Sequence, residues 1–200
     1  MSPERPNLGA RAADQRPSPS NWSRAARAAH WLTAISALGG AGFVLVLINP
    51  PDWSNVYLDR YDRWIGVHKL LGIVALIGLI ALILQHAHRP ARTGPSLMRR
   101  VSALTQIVLA LLTIVLAASG LIGALLSTGI SVNGFQLVPP VSARPEAIAS
   151  LLASVHDVCG YAFLAVAAAH VGAALHHHFI ARDGVLARML GTNAPDGRSE

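Results

Sequence analysis

The sequence has few charged residues, few aromatic residues and a single cysteine. Charged residues make up 13% of the 200 positions and aromatic residues 6%, whereas 52% are hydrophobic. The lone Cys159 excludes a disulfide framework and a C-x-x-C-H site for covalent haem, so we interpret it as a packing residue. No glycine-rich nucleotide motif and no segment large enough for a flavin domain lies outside the apolar runs. This composition is typical of a membrane protein.

Four long apolar stretches hold most of the hydrophobic residues. A membrane span needs roughly 20 apolar residues, and lipid cannot satisfy free backbone groups. None of the stretches alternates with period 2, so each is predicted to be helical. The predicted fold is an all-α integral membrane four-helix bundle within residues 21–190, with spans near 28–49, 63–86, 101–127 and 151–180.

The net charge of +6 comes from arginines that are unevenly distributed. They are concentrated before the first span, between the second and third spans, and in the tail. The other two connections carry Arg60, Arg63 and Arg144, which nearby acidic residues offset. This asymmetry predicts that both termini and the middle connection are cytoplasmic. The charge is therefore a topology signal, and no nucleic-acid partner is expected.

Both ends of the chain are predicted to lie outside the bundle. Residues 1–20 are rich in Pro, Ser and Arg without periodicity, which predicts a disordered cytoplasmic arm, and residues 191–200 resemble them. A competing interpretation makes residues 1–41 a cleaved secretory signal. The apolar run continues through "FVLVLI" to a full span length, which favours a retained first span.

Nine histidines are present, and four of them lie inside apolar segments. The other five are near span ends, where we expect exposed interfacial side chains: His86, His88, His176, His177 and His178. Ionisable groups within a span are costly and by default indicate function. The four internal residues, and so the candidate site residues, are His30, His68, His156 and His170.

The predicted topology sorts these four histidines into two pairs. His30 lies near the cytoplasmic side of the first span, and His68 lies near the opposite side of the second. His156 and His170 are fourteen residues apart on the fourth span, which is about 21 Å along a helix and within about 40° of one face. Matching depths pair His68 with His156 and His30 with His170.

Two imidazoles from facing helices suit one kind of metal centre better than another. A closed zinc site requires four ligands, and no Cys, Asp or Glu lies at the matching depth. A six-coordinate haem iron needs only two axial ligands. Gly72 and Gly160 follow His68 and His156 by four residues, and Ala34 and Ala174 follow the other two, which leaves room for a porphyrin. Hydrogen-bonded core histidines, or a non-haem metal or proton transporter, remain alternatives.

Two further positions carry open interpretations. Lys69 follows His68 and is predicted either to extend toward the lipid headgroups or to support the haem pocket by pairing with a propionate or attracting an anionic donor. His177 is one heptad beyond His170 and faces within about 20° of it, so it competes with His170 as a ligand, although about 10 Å nearer the water.

The motifs "RAARAAHW", "HKLLG", "HD" and "AHVGAALHHHFIARDGVLARML" resemble those of the bacterial cytochrome b561 family of four-helix dihaem membrane proteins. The resemblance covers residues 22–190. It implies two non-covalent haem b groups with His30, His68, His156 and His170 as axial ligands, in the bacterial cytoplasmic (inner) membrane. It also implies electron transfer with quinone as a partner, and superoxide as a donor for some members.

The resemblance predicts a function at the level of electron transfer. The first hypothesis is a dihaem cytochrome that exchanges electrons with membrane quinone, with lipid and a redox protein as further partners. The alternative is a haem-bearing anchor subunit that connects a separate dehydrogenase or hydrogenase to quinone. Bis-histidine ligation leaves the iron no open position, so no catalytic residue is predicted at the metal.

Overall fold

The computed structural model describes residues 22–48, 55–87, 97–132, 134–141 and 145–192. Within residues 46–48, 55–63, 86–87 and 98–99 it describes the backbone alone. The predicted N-terminal arm, the tail from residue 193 and His88 lie outside the described residues, as does the side chain of His86.

Long helices dominate the described part of the chain, and four of them are apolar enough to cross a membrane. They are α1 (Arg24–Ile48), α2 (Asn55–Ala87), α3 (Leu97–Ser127) and α4 (Glu146–His176). The apolar segment is 22 residues long in each of α1 and α2 and longer in α3 and α4, which is enough to span the hydrocarbon core. The predicted four-helix membrane fold is confirmed.

The outer faces of these helices carry large apolar side chains. Ile35 is 67% exposed and Ile77 is 58% exposed, although both lie in the middle of a span. Most of the few buried apolar residues are alanines, among them Ala26, Ala29 and Ala75. A helix that exposes large apolar residues and buries small ones fits a lipid environment, where close backbone packing holds helices together.

The helices pack as two pairs, α1 with α2 and α3 with α4. Small residues allow the close approach within each pair. A Cβ added at Gly78 of α2 would lie 2.5 Å from Thr33 Oγ1 and 3.3 Å from the Ala29 carbonyl oxygen of α1. Contacts between the pairs are fewer and run from α2 to α3 and from α1 to α4. The seam between the pairs is therefore the more open part of the bundle.

A β-hairpin connects α3 to α4 and marks one end of the bundle, here called the hairpin end. Strand β1 (Ile130–Val132) pairs antiparallel with β2 (Phe135–Val138). The purely helical prediction missed this element, because the strands are too short for the span argument to address them. The sequence carries a usable signal, since "ISVNGFQLV" places Asn-Gly between two β-prone runs.

The opposite end of the bundle, here called the tail end, is closed by a short C-terminal helix. Helix α4 passes into one π-helical turn (His177–Ala181), and α5 (Val185–Leu190) follows. Arg182 (φ 49°) and Gly184 (φ 69°) adopt left-handed conformations in the turn between these two elements. The indole Nε1 of Trp31 donates a hydrogen bond to the Met189 carbonyl at 3.2 Å, so α5 is attached to α1.

Candidate functional site

His68 and His156 face each other across the seam at the hairpin end. His68 comes from α2 and His156 from α4, and their ring centres are 5.9 Å apart with an angle of 80° between the planes. Both side chains are half-buried. The structure thus brings together one of the two pairs that the depth argument predicts.

Backbone carbonyls orient both rings of this pair. His68 Nδ1 lies 2.9 Å from the Gly40 carbonyl oxygen, and His156 Nδ1 lies 3.0 Å from that of Leu116. A carbonyl oxygen can only accept, so each Nδ1 carries the proton and donates it. Each Nε2 then keeps a free lone pair, which is the arrangement that metal-ligating histidines use.

Glycines on the neighbouring helices make room for these two rings. A Cβ added at Gly40 of α1 would lie 3.4 Å from His68 Nδ1. One added at Gly120 of α3 would lie 2.9 Å from His156 Cε1 and 3.1 Å from its Nδ1. The spacing along one helix did not predict either glycine, because it concerns only the face that carries the histidine. A usable signal was small residues at matching depth on the adjacent helices.

The third span therefore does more than the sequence predicted. This span has no histidine, so the sequence predicts no site residue in it. In the structure, Leu116 accepts the hydrogen bond from His156, and Ser119 Oγ lies 3.3 Å from the same nitrogen. Helix α3 thus fixes the orientation of a histidine that belongs to α4.

His30 and His170 form the second pair, at the tail end. Their ring centres are 6.5 Å apart, and the planes meet at 54°. Trp31 packs edge-on against His30 with 5.4 Å between ring centres. Within the described residues, no hydrogen bond to a ring nitrogen of His30 or His170 matches those of the other pair. In the described residues, ring packing holds this pair in position, without the backbone-carbonyl contacts that orient the other pair.

The small residues that the sequence singled out differ in their surroundings. A Cβ added at Gly72 would meet no atom within 4 Å, so open space lies beside it. At Gly160 the nearest atom to an added Cβ would be Leu116 Cδ2, at 3.9 Å. Gly72 therefore lies beside open volume on α2, one turn from His68, whereas Gly160 is in ordinary packing contact with α3.

Lys69 makes contacts that the sequence did not anticipate. Its Nζ donates hydrogen bonds of 2.9 Å to Thr128 Oγ1 and of 2.9 Å to the Gly129 carbonyl oxygen. These atoms lie between α3 and the hairpin, whereas Lys69 belongs to α2. The ammonium group thus connects the two helix pairs at the hairpin end.

His177 forms a hydrogen bond to Asp183, in the turn that follows α4 at the tail end. Its Nδ1 lies 2.6 Å from Asp183 Oδ2, and Asp183 Oδ1 accepts a hydrogen bond from the Val185 amide that begins α5. Partial desolvation raises the pKa of Asp183, but the Val185 and His177 hydrogen bonds and the charges of His177 and Arg188 outweigh it and lower that pKa overall. His170, not His177, is the residue opposite His30.

The described residues contain no cluster of three or more His, Cys, Asp or Glu side chains able to hold a metal ion. Among the described residues, each histidine pair thus offers two imidazoles without a third His, Cys, Asp or Glu side chain to complete a metal cluster. Such a site suits an iron whose other four ligands come from a macrocycle.

The chain matches the family model for prokaryotic cytochrome b561 over residues 21–192. It belongs to that family. A curated relative, cytochrome b561 homolog 2 of Escherichia coli (strain K12), is 30% identical over 190 residues, which cover 89% of this chain and 95% of the relative. The match extends from the residues before α1 to the end of α5, so it includes both histidine pairs.

Family membership establishes the broad activity of this cytochrome b561. It is a multi-pass bacterial membrane protein that binds b-type haem and transfers electrons. The resemblance noted in the sequence motifs is confirmed. The assignment of the four histidines as axial haem ligands stays a prediction.

Proposed function

We propose that this cytochrome b561 carries two haem b groups, one at each histidine pair, and transfers electrons between them across the membrane. His68 and His156 are the axial ligands at the hairpin end, and His30 and His170 are those at the tail end. The observation that carries the proposal is the presence of two facing imidazole pairs on one bundle, both sharing helix α4.

The ring spacing fits one iron between the members of each pair. Imidazole nitrogens bind first-row metals at about 2.0 Å, so two rings on opposite sides of one iron have centres about 6 Å apart. The observed separations of 5.9 Å and 6.5 Å are close to that value. Histidines that only packed against each other would have no reason to keep this separation in both pairs.

The surroundings of the hairpin-end pair fit the same group. The carbonyls of Gly40 and Leu116 hold the Nδ1 protons, which leaves Nε2 of each ring available to iron. The open space beside Gly72 provides room next to His68. When bound, a bis-histidine haem supplies a six-coordinate iron that accepts and releases one electron without binding oxygen.

The spacing on α4 supports a transmembrane path. His156 and His170 are fourteen residues apart in one continuous helix, a rise of about 21 Å. A single rigid element therefore carries one ligand for each site. The chain's own contribution is to hold both pairs at fixed depth and to exclude water from the segment between them.

The orientation follows from the arginine distribution. The tail end, with both termini, is cytoplasmic, and the hairpin end faces the opposite side of the bacterial inner membrane. The proposed four-helix domain is residues 21–190, flanked by cytoplasmic segments at residues 1–20 and 191–200. Fusion of alkaline phosphatase and of green fluorescent protein at residue 200 tests this topology. Fluorescence without phosphatase activity is expected, and the reverse would contradict it.

Haem quantitation tests the ligand assignment. Single variants His30→Ala, His68→Ala, His156→Ala and His170→Ala are each expected to retain one haem and to lose half of the reduced-minus-oxidised α-band. His177→Ala and His178→Ala are the matched controls, and both should keep two haems. Retention of two full haems in any of the first four variants would contradict the assignment.

Quinone is the proposed membrane partner. The described chain has no nucleotide-binding domain, so electrons must come from another molecule in or beside the membrane. Rapid mixing of the purified protein with a short-chain quinol should reduce both haems. A lack of reduction would oppose this partner. Co-purification of a large catalytic subunit would instead assign the chain as the haem-bearing anchor of a dehydrogenase or hydrogenase.

A further inference from the structure

The β-hairpin is attached to α2 beside His68. Lys69, the next residue, donates its two 2.9 Å hydrogen bonds to Thr128 and Gly129, which immediately precede β1. One turn earlier, Gly66 is buried against the hairpin backbone, where an added Cβ would collide with the Ser131 carbonyl oxygen and lie 3.3 Å from Val132 Cα. We call this contact between α2 and the hairpin, formed by Gly66, Lys69, Thr128, Gly129 and Ser131, the hairpin clamp.

The hairpin side of the clamp is itself fixed to α3, which packs with α4. The Val141 amide donates to the Leu125 carbonyl of α3 at 2.9 Å. Gln136 Nε2 donates to the Val138 carbonyl at 2.6 Å. Gly129 has a φ of 72°, and a Cβ there would collide with Val138 and Gln136 atoms. The hairpin is thus attached to α3 by the Val141–Leu125 hydrogen bond and held internally by Gln136 and by the close approach of Gly129 to Val138.

The clamp therefore connects the two halves of the bundle at the level of the first histidine pair. His68 belongs to the α1–α2 half and His156 to the α3–α4 half, and contacts between the halves are sparse. The distance between the two rings is thus governed by whatever holds the halves together at that end. Gly66 and Lys69 are two residues before and one residue after His68, so their attachment acts directly on its position.

We propose that Gly66 and Lys69 are positioning residues that keep His68 within bonding distance of the haem iron it shares with His156. This inference rests on the proposed function, because it requires a haem at that pair. The clamp keeps the iron six-coordinate, which confines the site to electron transfer and excludes small ligands. Loosening it opens the hairpin-end haem to an external ligand and leaves the tail-end haem unchanged.

Carbon monoxide binding to the dithionite-reduced, detergent-solubilised protein tests the proposal. The wild-type protein, with two six-coordinate haems, should show no carbon monoxide shift in its Soret band. Lys69→Met removes both hydrogen bonds, and Gly66→Val forces the hairpin away from α2. In each variant carbon monoxide should bind to as much as about half of the haem, since one of two sites has lost a firm ligand.

Matched variants separate the clamp from other effects. Gly42→Val makes the same exchange on α1 where an added Cβ meets no atom within 4 Å, and it should bind no carbon monoxide. Lys69→Arg keeps the charge and the donors and should restore the wild-type spectrum. Thr128→Val keeps the Lys69 charge but removes one acceptor, so partial carbon monoxide binding there separates attachment from electrostatics and covers the case in which Lys69→Met does not fold.

The affected haem is identified in a chain that lacks His30 and His170. Carbon monoxide binding caused by Gly66→Val should persist there. The proposal is overturned if Lys69→Met and Gly66→Val retain two haems and bind no carbon monoxide, or if both haems bind it equally. Failure of the proposed function gives a different result: the wild-type protein itself would bind carbon monoxide, or would keep two haems after His68→Ala.

Discussion

The two histidine pairs are built differently although they share one helix. At the hairpin end, His68 and His156 each donate from Nδ1 to a backbone carbonyl and lie against a glycine of a neighbouring helix. At the tail end, His30 packs against the ring of Trp31, and α5 closes the bundle. Backbone carbonyls fix both the tautomer and the rotation of a ring, whereas packing fixes its position alone. The hairpin-end pair should therefore be the less tolerant of change.

The largest expected effect comes from Gly120→Leu. Its side chain would occupy the place of the His156 ring, because even a Cβ there lies 2.9 Å from His156 Cε1. The variant should lose the hairpin-end haem and keep the tail-end haem, as measured by haem-to-protein ratio. Gly123→Leu, on the same helix but with 3.8 Å from the added Cβ to Leu152 Cβ, is the control. Leucine is a better helix former than glycine, so lower helix propensity cannot explain a loss.

The corresponding change at the tail end is Gly78→Leu. The leucine side chain forces α1 and α2 apart at Thr33 and at Ala29. Ala29 is the residue before His30. Overpacking of this kind costs about 1–3 kcal/mol, so the thermal midpoint of the detergent-solubilised protein should fall. Haem should be lost first from the tail-end pair. Loss of the hairpin-end haem first would contradict the prediction that packing at Gly78 supports the tail-end pair.

A smaller effect is expected for Trp31→Phe. Phenylalanine keeps a ring next to His30 but lacks the N–H that donates to Met189 at 3.2 Å. One such hydrogen bond contributes about 1 kcal/mol. Hydrogen exchange of the α5 amides should accelerate about fivefold, and both haems should remain bound. Unchanged exchange in Val185–Leu190 would show that α5 is held by other contacts.

The smallest effect concerns pH at the tail end. The hydrogen bonds and charges around Asp183 lower its pKa, so they favour the carboxylate in the folded state. That stabilisation is present above the ordinary carboxyl pKa and is lost as the pH falls through the lowered one. The protection factor of the Val185 amide, which is corrected for the intrinsic pH dependence of exchange, should therefore fall at acid pH in the wild-type protein. In Asp183→Asn, which keeps the acceptor oxygen, this fall should be absent.

The sequence predicts the positions of the two pairs well because they depend on simple quantities. Span length, arginine asymmetry and the fourteen-residue spacing on α4 determine which histidines share a depth. Those same histidines face each other in the structure. All three quantities can be derived from the sequence without knowing which helices are neighbours in the fold.

The surroundings of the pairs were harder to predict because they depend on which helices are adjacent. Gly40 and Gly120 contact the rings only once α1 packs on α2 and α3 packs on α4. The partners of Lys69 are more than fifty residues away and lie at the base of a hairpin that the span analysis did not consider. The sequence leaves His177 open as a candidate ligand, because it does not show that the turn after α4 places Asp183 beside it.

Native mass spectrometry of the wild-type protein and of the His156→Ala, His170→Ala and doubly substituted variants shows whether each histidine pair holds its own haem. We expect two haems in the wild-type protein, one in each single variant and none in the double variant, because α4 supplies one ligand to each site. Two haems in either single variant, or one haem in the wild-type protein, would contradict this expectation.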